Sequence, residues 1–236
     1  MKNKFPDPLP HDEIEEVFDN IFHVRGTVVL PSGFPVSRNM TIVREGTDLT
    51  LINTVRLDEE GLKTLDQLGA VKHVVRIGAY HGMDDPFYVD RYRAKLWAPA
   101  GIEHNLGFET DHFLIEDGPM PFERGRYFHF KTANAPEGLI LINQDGGIIV
   151  SCDAMQNWVE PDHFFNEESA EKMREWGFIK PAAVGIGWLN SAKPQASDFE
   201  RINKLDYHHL LTAHGIPLKD TAKEEFSETF HQLFGI

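Results

Sequence analysis

The first half of the chain alternates short apolar runs with turn residues, a pattern typical of short strands. It predicts a meander of three antiparallel strands, at residues 24–30, 40–44 and 49–52. An amphipathic helix follows, with acidic residues in its first turn, leucines on one face and Gly69 at its end. Residues 71–77 are mostly apolar and lack Gly and Pro, so they predict a buried strand.

The second half continues the short strands and adds more helices. It predicts strands at residues 113–116, 125–131, 138–142, 147–151 and 209–213, and helices at 168–176 and 197–204. A final helix begins at Thr221, which fits a capping box with Glu224, and ends at Gly235. Residues 1–20 contain three prolines and an acidic stretch, which predict an irregular or helical lead-in. No repeat or flexible linker interrupts the chain, so a single domain is predicted over residues 1–236.

The composition is that of a globular protein with a large core: 236 residues, 41% hydrophobic and 25% charged. The formal charge of −14 argues against nucleic acid and against an anionic membrane surface as partners. No apolar run reaches the length of a signal peptide or a membrane span, so we expect a cytoplasmic protein with a small-molecule substrate or ligand. The lone Cys152 excludes an intramolecular disulfide and is interpreted as a small buried hydrophobe.

Four residues that could bind a metal follow predicted buried strands. His81 and Asp85 lie four residues apart in the loop after residues 71–77, Asp153 follows the strand at 147–151, and His214 follows the strand at 209–213. Nitrogen and oxygen donors presented by three strand ends are what a divalent metal site in an α/β sandwich needs.

The order of these elements resembles the metallo-β-lactamase superfamily, over residues 21–235. The resemblance rests on the early strands ending at 39–44, the helix ending at Gly69, the strand leading into His81, the turn and strand leading to Asp153, and residues 212–217 before the final helix. It implies an α/β protein of the α+β type, with a four-layer αββα sandwich. In that fold two mixed sheets pack face to face and the helices lie outside.

The main motif of that family is only partly present. The family's His-x-His-x-Asp-His would place ligands at positions 81, 83, 85 and 86. His81 and Asp85 match it, whereas Met83 and Pro86 do not. A further histidine is expected in the loop at residues 131–137, which contains none.

The matching residues imply a reduced metal site. Asp153 corresponds to the family's bridging aspartate and His214 to its last histidine. The first metal position would keep His81 and Asp153, and the second would keep Asp85, Asp153 and His214. We therefore expect one divalent ion per chain, zinc first, with iron or manganese as alternatives. Met83 is no substitute for a histidine, because its thioether suits copper(I) better.

Three other polar residues have open roles. Asp84 is interpreted as a solvated loop carboxylate, with a role in orienting His81 as the alternative. His129 and Asn134 are nearest in sequence to the missing mid-chain ligand, although His129 also fits an exposed strand position.

The resemblance and the donors together favour a metal-dependent hydrolase that acts on an ester, thioester, lactone or phosphoester. Asp85 is predicted to orient the attacking water or to take its proton. A metal-free protein that binds a small molecule in the same cleft is the main alternative, and an iron-dependent redox protein on the same fold is a third.

Overall fold

The computed structural model describes residues 4–236, which form two β-sheets with α-helices outside them. The first sheet has seven strands in sequential order: β1 (Glu15–Phe18), β2 (Ile21–Val29), β3 (Pro35–Glu45), β4 (Asp48–Ile52), β5 (Ala70–Val75), β6 (Lys95–Ala98) and β7 (His112–Phe113). Strands β1 to β4 pair antiparallel and β4 to β7 pair parallel, so this sheet is mixed.

The second sheet has four strands: β8 (Gly125–His129), β9 (Gly138–Ile142), β10 (Ile148–Ser151) and β11 (His209–Thr212). Their spatial order is β11, β10, β9, β8. Strands β10 and β11 pair parallel, whereas the other neighbours are antiparallel. The hairpin between β9 and β10 turns at Asp145, Gly146 and Gly147, which all have positive φ, as the glycines at this position predict.

The described chain has six α-helices. They are α1 (Glu59–Leu68), α2 (Asp85–Tyr92), α3 (Glu167–Glu175), α4 (Ile186–Ala192), α5 (Ala196–Asn203) and α6 (Ala222–Phe234). Five lie on the outer faces of the sheets, and α3 packs through Met173 against Val36 and Trp158. A single 3₁₀ turn covers Asn105–Gly107. Helix α1 begins where Asp58 accepts a hydrogen bond from the Gly61 backbone N–H at 2.8 Å, a standard N-terminal cap.

Three apolar clusters show how the layers pack. One lies between the sheets and joins Val43 and Val75 of the first sheet to Ile140 and Val150 of the second. A second packs α1 and α2 on the outer face of the first sheet. The third packs α4, α5 and α6 on the outer face of the second sheet. The predicted four-layer αββα arrangement with two mixed sheets is therefore confirmed.

The sequence pattern was wrong or incomplete at several elements. The lead-in contains no helix within residues 4–20; it ends in the short strand β1. The part of the lead-in at residues 1–3 lies outside the described residues. Helices α2 and α4 were missed, because each is short and begins beside a proline or glycine. Thr221 does precede α6, but its hydroxyl donates to Glu225 at 2.6 Å, so the predicted capping box with Glu224 does not form.

Within residues 4–236, none of the helices has both the length and the apolar character needed to cross a membrane.

His23 makes stability depend on pH, because it is buried in β2 and its Nε2 has no hydrogen-bond partner among the described residues. Burial, assisted by the nearby Arg25, lowers the pKa of His23 to about 4. The unfolded chain takes up this proton below about pH 6.5 and the folded chain only near pH 4. The stabilisation is therefore complete above pH 6.5, and about 3 kcal/mol should be lost as the pH falls from 6.5 to 4.

Urea unfolding of wild type and His23→Gln at pH 7, 5.5 and 4 measures this effect. The variant is expected to lose less stability than wild type over that range, because glutamine takes up no proton. His208→Gln, which changes an exposed histidine, is the matched control and should keep the wild-type slope. Equal slopes for wild type and His23→Gln would contradict the assignment.

Candidate metal centre

The predicted donors reach one point because three strands end at the same edge of the sandwich. Asp153 follows β10 and His214 follows β11, and these strands are parallel neighbours with Ser151 opposite Thr212. His81 follows β5 of the other sheet. The edge where the two sheets meet therefore carries a donor from each of them.

Three of the four predicted ligands converge. His81 Nε2 lies 3.0 Å from His214 Nε2 and 3.6 Å from Asp153 Oδ2. His214 Nε2 lies 3.1 Å from Asp153 Oδ1. Their side chains are only 9–14% exposed. Two donors bound tetrahedrally to one zinc ion at about 2.1 Å lie about 3.4 Å apart. The separations among His81, Asp153 and His214 are close to this value, so the three side chains could bind the same ion.

The ring of His214 is oriented by a neighbouring carbonyl group. Its Nδ1 lies 3.3 Å from the Ser37 carbonyl oxygen, which can only accept a hydrogen bond. In the tautomer that donates from Nδ1 to this carbonyl oxygen, Nε2 presents a lone pair toward His81 and Asp153, as a metal ligand would. Trp158 packs beside the ring, with centroids 4.9 Å apart, and donates its indole N–H to the Ser37 hydroxyl at 3.2 Å.

The loop that carries His214 is attached to the first sheet by Asn39 of β3. The Asn39 side-chain amide donates to the carbonyl oxygens of Thr212 and Gly215, each at 2.8 Å. Its backbone N–H donates to the Ala213 carbonyl oxygen, also at 2.8 Å. These three bonds surround His214 and hold it against the opposite sheet.

Asn39→Ala is expected to lower the free energy of unfolding by about 2 kcal/mol, because two buried carbonyl groups lose their donors. Urea unfolding measures the loss. The matched control is Asn190→Ala in α4, which changes an exposed asparagine and should shift stability by less than about 0.5 kcal/mol. Equal effects of the two variants would show that the Asn39 bonds do not stabilise the loop.

The electrostatics of the three donors suit a cation. Burial would raise the pKa of Asp153, but the imidazoles of His81 and His214 outweigh it and hold the pKa well below its usual range. Burial lowers the pKa of His81, which favours its neutral form. A carboxylate therefore faces two imidazole nitrogens, a set of acceptor atoms that fits a divalent ion.

Asp85, the fourth predicted ligand, is not brought into this group. It is the first residue of α2, is fully buried, and accepts a hydrogen bond from the Thr54 hydroxyl at 2.6 Å. Its other oxygen faces Arg76 across Gly82, where an added Cβ atom would lie 2.6 Å from that oxygen. Burial raises the pKa of Asp85. Its predicted roles as ligand and as proton acceptor therefore have no supporting contact here.

A cavity of about 490 Å³ opens beside the three donors. His81, Asp153 and His214 line its inner end, and Arg38 and Arg76 also reach its wall. Most of the remaining lining is apolar or aromatic, including Val28, Leu30, Val36, Met173, Trp176 and Phe178. The donors thus lie where a bound small molecule could reach them.

Comparison with known proteins places this geometry on a known scaffold. No protein-family model and no curated protein matches the sequence. Among solved structures, the DIM-1 metallo-β-lactamase superposes with a TM-score of 0.65 at 13% identity, covering 96% of this chain and 99% of that one. FIM-1 from Pseudomonas aeruginosa in its mono-zinc form gives 0.63 at 12% identity, with 96% and 97% covered. A metallo-β-lactamase from Erythrobacter litoralis gives 0.60 at 13% identity, with 96% of both chains covered.

The chain has the metallo-β-lactamase fold. The predicted resemblance is confirmed at this level, since these structures match nearly end to end. The matches are 11–14% identical to this chain, which is enough to assign the fold but not the reaction. The function must therefore be argued from the residues of this chain.

Within this metallo-β-lactamase fold, Asp84 has a different position from the one predicted. It is 4% exposed rather than solvated, and it forms an ion pair with the buried Arg38. It also accepts a hydrogen bond from the Arg56 backbone N–H at 2.8 Å. Asp84, the residue before α2, is therefore joined to β3 and to the segment after β4, and it positions Arg38 in the cavity wall.

Neither residue considered for the missing mid-chain ligand lies at the metal centre. His129 lines a separate cavity with Glu116 and Lys131, and Asn134 does not line the metal-centre cavity. The residue of that loop that does approach the centre is Glu137, whose carboxylate is fully buried near Asp153. The sequence prediction overlooked Glu137 because it expected a histidine in this loop, although a carboxylate is also a common metal ligand.

Proposed function

We propose that this protein is a metal-dependent hydrolase in which His81, Asp153 and His214 hold one divalent ion at the inner end of the cavity. The observation that carries the proposal is the convergence of three electron-rich donor atoms, within 3.6 Å of one another, beside a cavity of about 490 Å³. Zinc is the first candidate, because two imidazoles and a carboxylate are common zinc ligands. The mono-zinc form of FIM-1 supports the idea that this scaffold can hold a single zinc ion.

The ion, when bound, would lower the pKa of a water molecule and polarise a carbonyl or phosphoryl oxygen. The protein's own residues supply the rest. The Ser37 carbonyl oxygen would accept the Nδ1 proton of His214, which leaves Nε2 free to bind the ion. The Gln156 side-chain amide approaches Asp153 Oδ1 at 3.4 Å and helps to fix the carboxylate.

The walls of the cavity indicate which substrates to try first. Trp176, Phe178 and Met173 present apolar surface, and their burial by a substrate would exclude water from the reacting bond. Of the four substrate classes, this apolar surface favours esters, thioesters and lactones with an uncharged apolar acyl group over phosphoesters, which are charged. Arg38 and Arg76 in the cavity wall could attract a partial negative charge of the substrate.

Assays of these four substrate classes with added zinc, manganese or iron(II) test the proposal. Activity is expected to disappear on chelation and in His214→Ala, and to return when metal is restored to the wild type. The rate should rise with pH through the titration of the bound water, near neutrality for zinc. Hydrolysis that survives both chelation and His214→Ala would exclude this mechanism.

A metal-free binding protein is the second candidate, because the sequence has lost three histidine positions of the family motif, at 83, 86 and within 131–137. Elemental analysis of protein purified without chelator or affinity nickel separates the alternatives. Zinc or manganese content supports the hydrolase, and iron with a visible absorption band would favour the redox alternative. Absence of metal together with absence of turnover would favour the binding protein.

A further inference from the structure

A second cluster of metal-binding side chains lies behind the histidine pair, on the inner side of Asp153. It consists of Glu137, Cys152 and Asp153, and one donor atom from each lies within 4.8 Å of the other two. Glu137 and Cys152 are fully buried. Neither residue is needed by the mechanism proposed above.

Glu137 reaches this point because its backbone joins the two sheets. Residue 137 forms an isolated bridge with Gly78, the Gly138 N–H donates to the Ile77 carbonyl oxygen, and the Ala79 N–H donates to the Pro136 carbonyl oxygen. The Glu137 side chain is therefore fixed beside the end of β10. One of its oxygens, Oε1, accepts a hydrogen bond from the Ala154 N–H.

The other oxygen, Oε2, has no hydrogen-bond partner among residues 4–236. A buried carboxylate oxygen without a donor costs several kcal/mol unless a proton, a cation or water satisfies it. No ion pair to Glu137 occurs in the described part of the chain. The nearby Arg76 donates instead to the carbonyl oxygens of Gly78, Ala79 and Glu103.

Gly78 packs closely against both the unpaired oxygen and the Cys152 sulfur. A Cβ atom added at residue 78 would lie 2.6 Å from Cys152 Sγ and 3.0 Å from Glu137 Oε2. The sulfur and the oxygen therefore lie side by side next to Gly78, where a residue larger than glycine would not fit.

We propose that Glu137, Cys152 and Asp153 bind a second divalent ion of the zinc class, distinct from the ion at the histidine pair and sharing Asp153 with it. The donor separations agree with this assignment. Cys152 Sγ lies 3.8 Å from Asp153 Oδ2, and sulfur and oxygen bound tetrahedrally to zinc at about 2.3 and 2.1 Å lie about 3.6 Å apart.

The donor set also selects the ion. A thiolate with two carboxylates suits zinc or cobalt(II), whereas magnesium and calcium prefer oxygen donors alone. Burial raises the pKa of both the Cys152 thiol and the Glu137 carboxyl. On binding, each of the two groups therefore releases a proton to solvent, and the sulfur and the oxygen form the new bonds to the ion. The negative charges that Cys152 and Glu137 acquire on losing their protons are then compensated by the dication.

Cobalt(II) titration of the full-length wild-type protein tests the second site. Cobalt bound by a thiolate gives a strong near-ultraviolet charge-transfer band that histidine and carboxylate ligands do not give. Wild type is expected to bind about two cobalt ions per chain and to show this band. Glu137→Gln and Cys152→Ser should each lose the band and about one ion, and circular dichroism should check that each variant is folded.

His81→Ala separates this inference from the proposed function, because it removes a ligand of the first ion and none of the second. It should lose hydrolysis and keep the thiolate band. If the band forms but no substrate is turned over, the second site stands and the hydrolase proposal fails.

Folded wild type that shows no thiolate band at saturating cobalt overturns the second site, whether or not it is active. X-ray absorption of the zinc-loaded wild type also tests whether Cys152 binds the ion, and it needs no variant. A sulfur neighbour at about 2.3 Å supports the site, and a shell of nitrogen and oxygen alone rejects it.

Discussion

Asp153→Ala is expected to abolish divalent-ion binding at the histidine pair and to reduce kcat/KM for hydrolysis by about 10³-fold or more, which is roughly 4 kcal/mol of transition-state stabilisation. The reason is its central position: its two oxygens lie 3.1 Å from His214 Nε2 and 3.6 Å from His81 Nε2. Two neutral imidazoles without the carboxylate leave a weak site that has lost its only anionic ligand. Elemental analysis and steady-state kinetics measure the two losses.

Met83→Leu is the matched control for ion binding. Met83 lies on the cavity rim, 42% exposed, at a position where the family motif has a histidine. Its replacement should leave metal content unchanged, because the thioether belongs to neither proposed ligand set. If Met83→Leu lost metal, or Asp153→Ala kept it, the ligand assignment at this edge would be wrong.

The largest loss of stability is expected from Asp84→Ala, by about 3–5 kcal/mol. Arg38 and Asp84 are 7% and 4% exposed, so removal of the carboxylate leaves a buried guanidinium without its counter-charge. The Arg38 Nε has no hydrogen-bond partner among the described residues even when Asp84 is present. Urea unfolding at pH 7 measures the loss.

The exposed pair between Lys63 and Glu60 is a suitable control, since its side chains are 64% and 82% exposed. Glu60→Ala should change stability by less than about 0.5 kcal/mol. Combining Asp84→Leu with Arg38→Met should recover most of the stability lost in Asp84→Ala, because no charge is then left buried. A double variant as unstable as Asp84→Ala would show that packing, and not charge, explains the loss.

The sequence predicted the convergence of the candidate donors where they follow directly on buried strands. Asp153 and His214 lie two residues after β10 and β11, so the path from strand to donor is short and the strand pairing fixes their distance. Runs such as residues 148–151 and 209–212, apolar and free of proline, carry a strong local signal. The order of these strands then predicted the fold.

The residues whose roles were missed depend on contacts between distant parts of the chain. Asp85 turns away from the centre because α2 begins at this residue and directs its side chain toward Thr54. Asp84 is buried because Arg38, 46 residues earlier, reaches it from β3. Glu137 contributes through a bridge to Gly78 that joins the sheets. None of these pairings leaves a periodic pattern, so local reasoning has no signal for them.

The three donors come from opposite sheets: His81 follows the seven-stranded sheet, whereas Asp153 and His214 follow the four-stranded one. An ion held among them can bind only while the sheets are docked, so its binding energy adds to their association. The expected gain in unfolding free energy is about 1.4 kcal/mol for each tenfold excess of free ion over its dissociation constant. The supply of metal would then set how long the folded chain survives proteolysis, independently of any substrate.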